Sequence, residues 1–248
     1  MSSSTVERKE KIPVSTILKV LIAPALLFVI DSPIGDKYLF NYGQTIAVVL
    51  ATLGFIFYYN KSPKRIKKFM LIGTIVGFSG EYIFSILLGM YHYRFDNIPL
   101  WLFVGHSLIF VVVLKLIRNP YVSLYEIVIT KWLFYFALVY SFICLFWKND
   151  WFGFLSSIVF FIILFYAKKS RLFILIMFSI VVYLEEVGTL TGTWSWPKVA
   201  FGVFEWIPSG NPPVGIVIFY LLFTVTVLGI YLNVLHPKVR DRYNRLKV

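Results

Sequence analysis

Glu81, His106, Glu185 and Glu186 are ionisable residues set inside long apolar runs, and their spacing puts them in one layer. Glu81 lies eight residues before Gly89, where its apolar run ends. At 1.5 Å per residue that is roughly 12 Å below the helix end. His106 lies eight residues after Ile98, where the next run begins, and reaches a similar depth. Glu185 and Glu186 lie four or five residues before Leu190, slightly shallower. They point about 100° apart on a helix, so one of the two faces inward, and the sequence leaves open which. A charged side chain at such depth costs at least ~2.5–3.5 kcal/mol, which makes each of these residues a candidate for function. The plainer alternative is that they pair to lock helices together, His106 with Glu81 for example, or that Glu185 reaches outward to water.

The chemistry these types allow is acid-base chemistry on an apolar molecule. A carboxyl group in apolar surroundings keeps its proton near neutral pH, which suits a general acid. Tyr91, Tyr93, Trp194 and Trp196 stand close in sequence to the acids and offer electron-rich faces that steady a developing cation. An acid beside an aromatic wall is what protonating a lipid alkene requires. The alternative for the aromatics is a belt at the headgroup level. Metal chemistry has thinner support. His92 and His106 lack the i, i+4 spacing of a paired site, His236 falls at the opposite end, and the one cysteine, Cys144, has no partner. A metal held by Glu81, His106 and Glu185 stays a lesser reading. No phosphate-binding loop, nucleophile elbow or dinucleotide fingerprint appears, so the sequence calls for no cofactor.

The elements that position these residues are membrane helices. Of the 248 residues 59% are hydrophobic and only 15% charged, with a mean hydropathy of +0.79. A soluble domain carries roughly 25% charged residues to face water. Eight apolar runs are spaced as spans, at residues 14–30, 42–59, 69–89, 98–117, 124–147, 151–167, 172–190 and 213–235. They predict an all-α, polytopic helical bundle over a single transmembrane domain, 1–248. The fifth and sixth runs are separated only by Lys148-Asn149-Asp150 and so form a tight helical hairpin. Residues 1–13 are polar and no small-x-small cleavage site follows the first run, which therefore reads as an uncleaved helix.

The net charge of +12 is not that of a nucleic-acid binder, because the basic residues cluster between apolar runs. Eighteen fall on one side: Arg8, Lys9 and Lys11; Lys61, Lys64, Arg65, Lys67 and Lys68; Lys115 and Arg118; Lys168, Lys169 and Arg171; and Lys238, Arg240, Arg242, Arg245 and Lys247. Four fall on the other: Lys37, Arg94, Lys148 and Lys198. That bias places both termini in the cytoplasm, in a multi-pass protein of the cytoplasmic (inner) membrane. Eight of the twelve acids, Glu81 and Glu185 included, lie toward the outer side. A polar site is expected to open there.

Two segments repeat. Gly89-Met90-Tyr91-His92-Tyr93 and Gly192-Thr193-Trp194-Ser195-Trp196 share Gly-x-aromatic-x-aromatic, and each is followed by Ile-Pro, at Ile98-Pro99 and Ile207-Pro208. The glycines are 103 residues apart with four crossings between them, which predicts two parallel four-helix halves, 14–117 and 124–235.

The first of these segments, with Glu81 before it and Leu100-Trp101 after it, resembles the bacterioruberin-type carotenoid hydratases. The second, with Glu186 before it, is similar to the repeats of heterodimer-type lycopene cyclases. The cyclases carry a pair of acids after Ile-Pro, where this chain has Leu100-Trp101 and Ser209-Gly210. The resemblance covers about a quarter of the chain. It implies an enzyme of isoprenoid modification, with Trp101, Tyr91, Tyr93, Trp194 and Trp196 against a long apolar substrate and Glu81, Glu185 or Glu186, and His106 as the acid-base groups. A small transporter or proton-coupled carrier, and a non-catalytic subunit held by a membrane-protein partner, are the alternatives from other classes.

Overall fold

The computed structural model describes residues 14–237. The leader 1–13 with Arg8, Lys9 and Lys11, and the basic tail at 238–247, lie outside the described residues. In chain order the helices are α1 (Val14–Ile30), α2 (Pro33–Tyr38), α3 (Gly43–Lys61), α4 (Lys64–Glu81), α5 (Trp101–Leu116), α6 (Pro120–Leu124), α7 (Glu126–Lys148), α8 (Trp151–Tyr166), α9 (Arg171–Leu190) and α10 (Val217–Ile230). Each of the eight apolar runs carries one, and α2 and α6 are short turns in connections. Among the described residues five stretches are long and apolar enough to cross a membrane: Gly43–Lys61, Lys64–Leu87, Glu126–Lys148, Lys168–Leu190 and Val214–Leu235. Helices α5 and α8 are equally apolar but have sixteen residues each.

The outer faces of these helices are apolar and exposed, with Leu53, Ile75, Phe146 and Val225 among the uncovered side chains. Such a surface is stable against lipid tails and not against water. Between helices the packing relies on small residues. Gly73 and Gly77 form a small-xxx-small stripe on α4, and α5 lies against it. A Cβ at Gly73 would stand 2.9 Å from Ser107 Cβ, and one at Gly77 would stand 3.1 Å from His106 Cβ. Helix α9 sits deepest in the bundle and buries Leu175, Met177, Phe178 and Val181.

The fold is mostly helical, as expected, and short strands join the helices at one end. Beyond the helix ends, strand β1 (His92–Tyr93) pairs antiparallel with β2 (Trp194–Ser195), and β3 (Val199–Ala200) pairs with β4 (Phe204–Pro208). Three of these strands have two residues, too few for an alternating pattern to show in the sequence.

Buried carboxylates hold the connections at this end. Asn149 ends α7 in the left-handed region, φ +54°, and Asp150 then caps α8 by accepting from the Gly153 N–H at 2.9 Å. Asp150 also accepts from the N–H groups of Gly210 at 2.9 Å and Val214 at 2.8 Å, which ties the expected tight hairpin to the segment before α10. On the other side Asp31 and Asp36 share Arg94, next to β1. Asp31 also accepts from Trp101 Nε1 at 2.7 Å, at the start of α5. Burial pushes the Asp31 carboxyl up from its ordinary range, and the bonds from Trp101 and Arg94 oppose that.

Candidate acid-base site

Glu81 is buried at the end of α4, where a π-helical turn, Tyr82–Leu87, takes over. Its Oε2 accepts from both phenols of the first aromatic segment, Tyr91 at 2.8 Å and Tyr93 at 2.6 Å. Gly89 allows that return at φ +58°, a left-handed conformation that favours glycine. Ser85 Oγ fixes the segment by donating to the Tyr91 carbonyl at 3.1 Å. Burial first, and then the neighbouring Glu81, push both phenols well above their ordinary range, so they remain O–H donors.

The other oxygen of Glu81 meets His106. Nε2 of the imidazole lies 3.1 Å from Oε1, and Nδ1 lies 2.8 Å from the Leu102 carbonyl. A carbonyl only accepts, so Nδ1 carries hydrogen. A bare nitrogen lone pair facing a carboxylate would repel it, so at least one proton resides between Nε2 and Oε1. Glu81 and His106 together form a proton-holding pair. The ring of His106 stacks on Tyr220 of α10, 5.5 Å between centroids and 4° from parallel.

Glu185 has a different set of partners. Its Oε2 accepts from Trp194 Nε1 at 2.9 Å and Trp196 Nε1 at 3.2 Å, again the two rings of the aromatic segment that follows its own helix. Indole N–H groups only donate and cannot pass a proton on. These bonds hold the carboxyl group in place and offer it no exchangeable proton. Gly192 makes the return at φ +73°, as Gly89 does. Glu81 precedes its glycine by eight residues and Glu185 by seven. The π-helical turn after Glu81, which takes an extra residue, absorbs the difference.

The two aromatic segments are held to each other through β1 and β2. His92 pairs with Ser195 and Tyr93 with Trp194. Each of His92 and Ser195 is the third residue after its own glycine, so the pairing is centred on matching positions. The rings pack accordingly, Tyr91 on Trp196 at 4.6 Å and Tyr93 on Trp194 at 6.3 Å, with Phe28 of α1 edge-on to Trp194 at 5.1 Å.

Glu81, His106, Glu185, Tyr91, Tyr93, Trp101, Trp194 and Trp196 all line one cavity of about 1090 Å³. That is at the upper end for a small-molecule site, and the rest of its wall is mostly apolar, with Tyr58, Lys61 and Lys115 among the exceptions. Exposed Leu26, Leu50, Phe57 and Leu222 also line it, so it opens sideways through the apolar faces of the bundle. All four aromatics of the repeated segments are buried and form a wall, not a belt. Glu186 is the one site candidate that lies elsewhere. It points to α7, where Tyr140 and Lys148 bond to it, and its side chain is 37% exposed against 7% for the Glu185 residue. Among the described residues no group of three His, Cys, Asp or Glu side chains stands close enough to hold a metal ion.

Sequence reasoning missed Tyr220, Phe28 and the Asp31–Arg94–Trp101 network. Tyr220 and Phe28 are aromatics inside apolar runs, indistinguishable there from lipid-facing ones. Asp31 directly follows the first apolar run, and its partners are 63 and 70 residues away.

The β1–β2 pairing can be tested by cross-linking. With directly opposed Cα atoms about 4.5–5.5 Å apart, His92→Cys and Ser195→Cys together are expected to form a disulfide under mild oxidation, within the usual span of such bonds. Thiol counting by mass spectrometry should find both engineered thiols lost, and two thiols that stay free would contradict the pairing. A comparison with protein-family models, curated proteins and solved structures gives no match for the chain.

Proposed function

We propose that this chain is an integral membrane enzyme that protonates a double bond of a long apolar isoprenoid, carotenoid-like in character. One observation carries the reading. Two buried carboxyl groups line a single apolar cavity, one bonded to a proton carrier and the other to groups that only donate.

The roles follow from those partners. Glu81 gives up its proton, so its O–H bond breaks as a C–H bond forms at the alkene. His106 then takes a proton from water and passes it to Glu81 across the 3.1 Å contact. Positive charge then develops on the neighbouring carbon, against the faces of Tyr91, Tyr93, Trp194 and Trp196. The Glu185 carboxylate stabilises that charge through space. It discharges the cation by taking a proton from the adjacent carbon, an isomerisation, or by taking one from water as the water adds, a hydration. The proton it takes then leaves to water, which balances the one that His106 draws in. Neither outcome needs an oxidant or reductant. Trp101 shapes the wall while Asp31 holds its indole. The resemblance of the two aromatic segments to carotenoid hydratases and lycopene cyclases points to the same substrate class.

The site is set in a bundle of eight membrane helices in the cytoplasmic (inner) membrane, with both termini in the cytoplasm and two parallel four-helix halves, 14–117 and 124–235. The bias of basic residues supports the orientation, and the centred β1–β2 register supports the halves. A reporter that works only in the cytoplasm, fused after Val248, is expected to be active. Silence would reverse the orientation.

The chemical roles are tested by Glu81→Gln. The amide oxygen can accept from both phenols and the amide N–H₂ can donate to His106 Nε2, so the bonds survive while the transferable proton does not. Thermal unfolding in detergent should change little, since single polar contacts between membrane helices average ~0.6 kcal/mol. Turnover should fall by about 10²–10⁴-fold, the usual worth of general acid catalysis. A Gln variant with normal turnover would end the general-acid role.

A further inference from the structure

We propose that the molecule in the cavity is a single-chain isoprenoid with a phosphate-type anionic head, and that Lys61, Lys115 and Tyr58 hold that head. The inference rests on the reading of the cavity as an isoprenoid site and adds the chemistry of its other end.

The cavity that begins at Glu81 and Glu185 is also lined by Tyr58 and Lys61 of α3 and by Lys115 of α5. Lys115 follows His106 by nine residues on one helix, so the two levels are roughly 13 Å apart. Lys115 Nζ lies 4.1 Å from the centre of the Tyr58 ring, and Lys61 Nζ lies 4.1 Å from the centre of the Phe57 ring. Both lysines are exposed residues whose ammonium groups lie over rings of α3 at one end of the cavity. Neither has an ion pair among the described residues. The Tyr58 hydroxyl is buried and has no hydrogen-bond partner among the described residues. Buried hydroxyls are nearly always bonded, because leaving one unpaired costs free energy.

Two cations and an unused O–H donor share one complement, an oxyanion with several acceptor atoms. A pure hydrocarbon would leave the buried Tyr58 hydroxyl unpaired and give the two ammonium groups no anion. The position fits an amphiphile as well. Lysines at the ends of membrane helices extend to the headgroup level, and the side opening past Leu26, Leu50 and Phe57 would admit a tail from the lipid while the head stays at that level. The tail then reaches the acid pair, so the double bond attacked lies at a set distance from the head.

The test is a binding titration of the full chain in an uncharged detergent, read by quenching of tryptophan emission, since Trp101, Trp194 and Trp196 line the cavity. The probes are geranylgeranyl phosphate, geranylgeraniol, inorganic phosphate and a short-chain phosphatidylglycerol. Geranylgeranyl phosphate is expected to bind about tenfold or more tighter than geranylgeraniol. The double variant Lys61→Gln/Lys115→Gln, its fold checked by thermal unfolding, should lower the phosphate's affinity to that of the alcohol and leave the alcohol unchanged. Equal binding of phosphate and alcohol, or a double variant that still prefers the phosphate, would overturn the anionic head. Displacement by inorganic phosphate alone would mark a free-anion site, and equal binding of phosphatidylglycerol an ordinary lipid site; either overturns the proposal. If neither prenyl compound binds, the isoprenoid reading of the cavity itself fails.

Discussion

A carboxyl group far from water must find hydrogen-bond donors inside the protein, and that requirement governs the layout of this molecule. Glu81 and Glu185 both meet it in the same way. Each takes its donors from the aromatic segment that its own helix runs into, phenols for one and indoles for the other. The segment must fold back over the helix end to deliver them, which is why each begins with a glycine at positive φ. Once folded back, the two segments present free strand edges to each other, and β1 and β2 pair. The closure of this end of the bundle, the burial of four large rings and the convergence of two acids are therefore consequences of one constraint.

The same constraint separates the two acids chemically. Two phenols and an imidazole surround Glu81, and the imidazole of His106 is a group that can take a proton or return it. Two indoles around Glu185 leave none to move. Similar backbones carrying different rings thus give one acid an imidazole that can carry a proton and the other only indole donors. The small-residue stripe on α4 supports this arrangement from below. Gly77 lets α5 approach closely enough for Nε2 of His106 to reach Glu81. A larger side chain there would push the imidazole away. Arg94, held between Asp31 and Asp36, secures the loop end of β1 in turn.

Much of this was legible in the sequence. Apolar runs and charge clusters mark the helices, because lipid and headgroups impose length and sign on them. The layer of Glu81, His106 and Glu185 was legible because 1.5 Å per residue converts sequence position into depth. What one-dimensional spacing lacks is rotation. It could not say that Glu185 faces the cavity while Glu186 faces Lys148. It also could not reveal the π-helical turn after Glu81, which alters rotation by one residue. The strands were hidden for a different reason. Their pairing depends on two loops 103 residues apart, and nothing local in a two-residue strand announces it. The aromatics read equally well as belt or wall, and only burial decides between them.

Carbon protonation leaves a direct isotopic trace. Membranes containing the protein, supplied with an isoprenoid substrate in D₂O, should yield a product with one deuterium bound to carbon, and the Glu81→Gln membranes should yield far less. Mass spectrometry of the extracted lipids reads this directly, because carbon-bound deuterium does not wash out. An altered isoprenoid without carbon-bound deuterium would contradict protonation by Glu81, and isoprenoids recovered wholly unchanged would contradict an enzyme of this class.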